Sequence, residues 1–300
     1  MKPTPSAGLA GTLLACLAGC FGAAEAEAPP GAALPVVQPT VQAPPAVETH
    51  KRITGLSRPA GLLVRPEGLF VTDEGTGRIW LLPPDAGSPQ VVAGPDGGLE
   101  GPGAMAGDEA GNLFVAERSG RRVVCRDPEG RWLTVMGGGE ATPGTEALRG
   151  TDLLLADPAG LAMDTQGDLV VLDAGWRMLL IRRADGLTSA VQAPGIGPSA
   201  LASAPDGTLL VLDPAEGRLY GGEPGKWHLV ADGLNRAFGL VADARAPWSV
   251  LETPARIVQG PDHAGTPIRG GIRPTAATTL PGGGWAIADG GLGGVLIQAP

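Results

Sequence analysis

From residue 50 onward the hydrophobic positions fall in short runs punctuated by glycine and proline, the pattern of strands joined by tight turns. One unit recurs: Pro-x-Gly-apolar-x-apolar, a glycine-containing turn, an apolar run ending in x-Asp or x-Glu, then an arginine and a further apolar run. In the first copy it reads Pro59-Ala60-Gly61-Leu62, Gly68-Leu69-Phe70-Val71-Thr72-Asp73 and Arg78-Ile79-Trp80. Pro102, Pro158, Pro198 and Pro274 open later copies, and the fifth opens on Ala237-Phe238-Gly239. The acidic markers Asp73, Glu117, Asp173, Asp213, Glu252 and Asp289 are 44, 56, 40, 39 and 37 residues apart. Periods near 40 made of short β runs predict an all-β fold: a six-bladed β-propeller of four-stranded antiparallel blades over residues 50–300.

Ring closure is also readable. Earlier units end in an outer strand, such as Gln90-Val91-Val92-Ala93, whereas nothing of the kind follows Val295-Leu296-Ile297. The spare strand is Lys51-Arg52-Ile53-Thr54-Gly55. The N-terminal strand is therefore predicted to pair into the C-terminal blade, hiding an edge and tying the ring shut.

The Pro-x-Gly opening and the Val-x-Asp…Arg hairpin resemble the NHL-repeat family of six-bladed propellers across essentially all of residues 50–300. The glycine-rich stretch from Gly137 to Asp157 is similar to the inter-blade insert of bacterial members. Ala237 in place of proline, and the turn Gly290-Gly291-Leu292-Gly293-Gly294 without its arginine, depart from the pattern in blades five and six.

Residues 1–19 read as an export signal, with Lys2 as the positive end and an apolar stretch, Gly8 to Leu17, too short to span a bilayer. Leu17-Ala18-Gly19-Cys20 resembles a bacterial lipobox, which implies cleavage before Cys20 and acylation of its thiol. Residues 20–49 then form a tether: positions 21–49 hold six prolines and eight alanines, a stiff spacer extending at most about 3.1 Å per residue. The expectation is a lipoprotein anchored in the bacterial cell envelope, with Phe21 compatible with the outer membrane. Cys16 leaves with the signal, so Cys125 stands alone in an apolar run and reads as a small core hydrophobe.

Composition narrows the function. With 49 glycines and 30 prolines, a helix-rich fold is disfavoured. The excess of 31 acidic over 22 basic residues argues against a broad phosphate-binding surface, so no nucleic-acid partner is expected. His50, His228 and His263 are scattered and do not converge on a histidine-held metal.

Because the acid and arginine five residues apart recur from blade to blade, they read as structural: a carboxylate that accepts turn N–H groups and faces a guanidinium across the hairpin. Function is sought where repeats differ, in the loops leading into each innermost strand. The residue before Pro-x-Gly is Arg58, Gly101, Asp157, Gly197, Arg236 and Arg273 around the ring. Arg236, Arg273 and Arg58 fall on contiguous blades, with Asp157 across from them. This sector is expected to attract a carboxylate or phosphate at the channel mouth. The resulting reading is a monomeric, non-catalytic binding or scaffold module without a cofactor, meeting a protein or a small anionic ligand on its loop face. A different resemblance supplies an alternative. Glu100-Gly101-Pro102 is similar to the Glu-Gly-Pro of gluconolactonase-like hydrolases, which implies a channel Ca²⁺ held by Glu100, Asn235 and Asp157 that polarises a lactone carbonyl.

Overall fold

The computed structural model describes residues 49–84, 87–243, 246–260, 264–268, 270–271, 273–281 and 283–298, with backbone only for 49–53 and 264. The chain divides into two units, Met1–Pro45 and Ala46–Pro300. The first carries the signal-like segment, Cys20 and most of the tether, and lies outside the described residues.

The second unit is an all-β propeller of six antiparallel sheets. Blade one comprises Pro59–Arg65, Gly68–Asp73, Arg78–Leu82 and Gln90–Ala93, from the axis outward. Blades two, three, four and five begin at the axis with Pro102–Gly107, Pro158–Met163, Ala200–Ser203 and Gly239–Val241. The sixth runs Pro274–Thr279, Trp285–Asp289, Gly294–Gln298, and its outer strand is Thr49–Thr54. Register pairs Thr49 with Gln298 and Thr54 with Gly294, and the Leu56 N–H continues the seam by donating to the Gly293 carbonyl at 3.0 Å. The predicted closure is thus observed. One blade departs from four strands: Leu148–Arg149, within the glycine-rich stretch, adds a fifth to the outside of blade three by pairing with Leu187–Gln192.

Packing follows from the alternation of each strand. Val71, Val115, Val171, Val211, Val250 and Ile287 occupy the equivalent place two residues before the acid, and all are fully buried. Burying such a side chain contributes about 1.5–3 kcal/mol. Among the described residues the core is not one mass but six clusters, one at each blade-to-blade interface. The cluster of Phe70 and Ile79 with Met105 and Val115 joins blades one and two; that of Ala286 and Val295 with Leu69 and Val71 joins blades six and one. Each blade gives one face to each neighbour, so the ring is stable only when closed.

At the axis the innermost strands approach closely enough to explain the glycine of Pro-x-Gly. A Cβ on Gly61 would run into the Gly103 carbonyl oxygen of the next blade, and one on Gly160 would meet the Leu201 backbone N. The same Gly103 carbonyl accepts from Thr72 Oγ1 at 2.8 Å, and Thr275 Oγ1 donates to the Pro59 carbonyl across the closing seam at 2.5 Å. Gly61→Ala is expected to destabilise the ring by about 2–3 kcal/mol, measured by denaturant unfolding; an alanine tolerated within 0.5 kcal/mol would show that the strands can move apart freely.

Candidate functional site

The six repeated acids set the geometry of one face. Each ends the second strand of its blade and is essentially fully buried. There it accepts backbone N–H groups from the loop leading into its own innermost strand. Asp73 accepts from Ser57 at 3.0 Å and Arg58 at 2.7 Å. Asp173 accepts from Ala156 and Asp157, Asp213 from Ile196 and Gly197, and Asp289 from Arg273. The following turn adds a bond in the other direction: the N–H groups of Glu74, Arg118, Ala174 and Gly290 donate to the carbonyls of Arg58, Gly101, Asp157 and Arg273. Six carboxylates therefore fix the loops that rim the channel.

Side-chain length decides the remaining partner. Glu117 and Glu252, one methylene longer, reach the guanidinium groups of Arg122 and Arg256. Asp73 and Asp213 cannot, and the expected arginine pairing fails in blades one and four. Asp213 instead accepts from the turn N–H groups of Ala215 and Glu216, and Arg218 turns to Glu216 and Asp232 at 3.2 and 3.5 Å. Burial by itself pushes the Asp73 and Asp213 carboxyls up, but the converging N–H donors outweigh it and hold both below the ordinary carboxylate value.

These clamped loops and turns surround a channel cavity of 330 Å³. Its walls are the innermost strands, with Gly61, Ala104 and Gly160 beside Leu62, Leu201 and Leu240, and its charged lining is Arg58, Glu74, Arg118 and Arg273. Arg58 Nε sits 3.1 Å from Glu74 Oε2. Arg118 clasps Asp157 with two parallel bonds, Nε to Oδ1 at 2.7 Å and Nη2 to Oδ2 at 2.6 Å, bridging the turn of blade two to the loop of blade three. That carboxylate raises the Arg118 pKa above its ordinary value, against the opposing effect of burial. Arg273 is exposed at the rim and makes no ion pair among the described residues. The arginine sector accordingly spans blades six, one and two. Its third member is Arg118; Arg236, exposed and with φ of 48°, does not line the cavity. Asp157, on blade three across the ring from Arg273 on blade six, is bound to Arg118. Two arginines matched by two carboxylates leave one positive charge on the rim of a chain whose net charge is −9.

The residues proposed for Ca²⁺ are not brought together as a cage. Both Asp157 oxygens are engaged by Arg118. Asn235 donates its N–H to Glu252 and its Nδ2 to the Thr253 carbonyl, and Glu100 is exposed outside the cavity lining. Among the described residues no three His, Cys, Asp or Glu side chains cluster as a metal site. His228 lies in the outer strand of blade four and His50 in the outer strand of blade six, while His263 lies outside the described residues. Cys125, half-buried and packed against the core cluster between blades two and three, has its thiol pushed up to about 11 by burial, with Asp108 adding to it. The thiolate needed for nucleophilic chemistry is disfavoured there.

Fold and rim together define a six-bladed β-propeller with a polar channel mouth. No protein-family model matches the sequence, and no curated protein matches it. Solved structures do resemble it. A streptogramin B lyase superposes with a TM-score of 0.60 at 12% identity, covering 83% of this chain and 96% of that one. Virginiamycin B lyase from Staphylococcus aureus gives 0.57 at 13%, covering 81% and 95%. A putative gluconolactonase gives 0.68 at 16%, covering 85% and 93%. At these identities the likeness extends to the propeller alone.

Proposed function

We propose that this chain is an exported lipoprotein, an NHL-type propeller held to the bacterial cell envelope through Cys20 and its Pro/Ala tether. It acts as a non-catalytic binding module whose channel mouth takes an anionic group of a protein or small ligand. The observation that carries the reading is Arg273: a guanidinium on the rim without an ion-pair partner among the described residues, beside Arg58 and Arg118 already held by carboxylates. Paired arginines are positioned, and the unpaired one supplies the attraction. The wall below the rim brings together no acid, base and nucleophile among the described residues, so binding rather than turnover fits the cavity.

Thermal unfolding of the full chain in succinate, against chloride at equal ionic strength, tests the reading. A ligand at 100 times its dissociation constant adds about 2.7 kcal/mol, or about 5 °C for a domain of this size. The shift is expected in the wild type and absent in Arg273→Gln. An equal shift in both proteins, or none in the wild type, would overturn the proposal.

A further inference from the structure

Beside the channel mouth, between blades five and six, lies a second cavity of 550 Å³. Its size is that of a small-ligand site, about 300–1,000 Å³. Phe238, Arg273 and Thr275 line this side pocket and the channel cavity alike, so the two spaces meet at Arg273. Phe238, Pro254, Ala255 and Pro274 give the side pocket an apolar lining. Phe238 and Ala255 are only half-buried and Pro254 is exposed, which leaves apolar surface facing the space.

The polar groups around it are already engaged. Thr275 Oγ1 donates to the Pro59 carbonyl at 2.5 Å. The Thr253 carbonyl accepts from Asn235 Nδ2 at 3.3 Å, and the Ala255 carbonyl accepts the Ile268 N–H at 2.9 Å. These bonds tie the turn after Glu252 to its neighbours, so the wall is in place before a ligand arrives. Arg273 is the exception. Its backbone N–H is held by Asp289, but its guanidinium makes no ion pair among the described residues, and it is the one charged side chain among those lining the pocket. The channel side carries Arg58, Glu74 and Arg118, beside which an apolar group would have to desolvate charges. An anion at Arg273 with an apolar body therefore turns that body away from the channel and into the side pocket. The ring of Phe238 and the flat, stiff ring of Pro254 suit an aromatic group.

We propose that the side pocket selects an aromatic carboxylate, its anionic end at Arg273 and its ring between Phe238 and the Pro254 turn. The inference rests on the mouth being an anion site, and it names the class of anion taken there.

Calorimetric titration of the full chain with succinate, propionate and 3-phenylpropionate tests it. The phenyl compound is expected to bind one site at least about tenfold tighter than propionate, to be displaced by succinate, and to weaken at least about tenfold in Arg273→Gln. Phe238→Leu, which removes the ring but keeps an apolar side chain, should cut the gain from the phenyl group at least about threefold. Ala255→Gln, which puts a polar chain into the pocket, should do the same. Unfolding temperatures check that each variant is folded; should Phe238→Leu fail to fold, Ala255→Gln decides. Succinate binding that depends on Arg273, with 3-phenylpropionate no tighter than propionate, would overturn the side pocket and leave the anion site standing. No binding of either acid would overturn both. A phenyl gain that survives Phe238→Leu and Ala255→Gln, or 3-phenylpropionate binding indifferent to succinate or to Arg273→Gln, would also overturn the proposal.

Discussion

Asp213→Asn is expected to lower the free energy of unfolding by about 3 kcal/mol at pH 7. The carboxylate is fully buried. One oxygen accepts the N–H groups of Ile196 and Gly197 at 2.6 and 2.9 Å, and the other those of Ala215 and Glu216 at 2.8 and 3.1 Å. An amide keeps the shape but turns an NH₂ toward two of those donors, leaving buried N–H groups facing one another. The same bonds hold the folded Asp213 pKa below its unfolded value. Its stabilisation is therefore complete above the unfolded carboxylate pKa, near about 4, and is lost as pH falls through the lower folded value. Asp73 behaves in the same direction. Urea unfolding from pH 7 to pH 2.5 should show the wild type falling steeply below about pH 4, and Asp213→Asn falling less, so that the two curves converge in acid. Parallel curves would show that the charge contributes nothing beyond shape.

Deleting residues 49–54 is expected to have the largest effect of all. The strand Thr49–Thr54 supplies the outer edge of blade six, through register pairs from Thr49 with Gln298 to Thr54 with Gly294. Without it the strand Gly294–Gln298 becomes an open edge, and the last blade is left with only its packing against the first, through Ala286, Val295 and Leu69, and no strand shared between the two ends of the ring. Because stability resides in six interfaces and not in one core, one missing latch weakens the whole circle. The loss should consume most of the about 5–15 kcal/mol typical of folded domains, and the exposed edge favours aggregation. Size-exclusion chromatography and thermal unfolding read both effects. A monomer with an unchanged unfolding temperature would mean that the seam between blades six and one holds without its strand.

What the sequence disclosed depended on repetition. Val71-Thr72-Asp73 and its five counterparts recur, so blade number, the second strand of each blade and the closing role of the segment around Ile53 were all legible. Leu148–Arg149 was not, because a two-residue strand leaves no alternation to detect. The acids were recognised as structural, but their arginine partners were only half right: a glutamate reaches across the hairpin and an aspartate does not, a difference of one methylene. At the mouth, Arg58 and Arg273 followed from the loops that precede Pro-x-Gly. Arg118 and Glu74 were missed because the turn after each acid was not placed on the same face. The signal was present, since Pro59 pairs with Asp73 and Pro102 with Glu117, which puts the turn at 74 and 118 beside the loop at 58 and 101. Reading those turns beside the loops exchanges Arg236 for Arg118 and joins Asp157 to it.

The most direct test of the mouth as an anion site is a calorimetric titration of the full chain with succinate at fixed ionic strength, comparing the wild type with Arg273→Gln and Arg236→Gln. The geometry predicts one site, weakened at least about tenfold, or about 1.4 kcal/mol, by Arg273→Gln and unchanged by Arg236→Gln, whose side chain lies off the channel. Equal affinity in all three proteins, or a loss confined to Arg236→Gln, would contradict it.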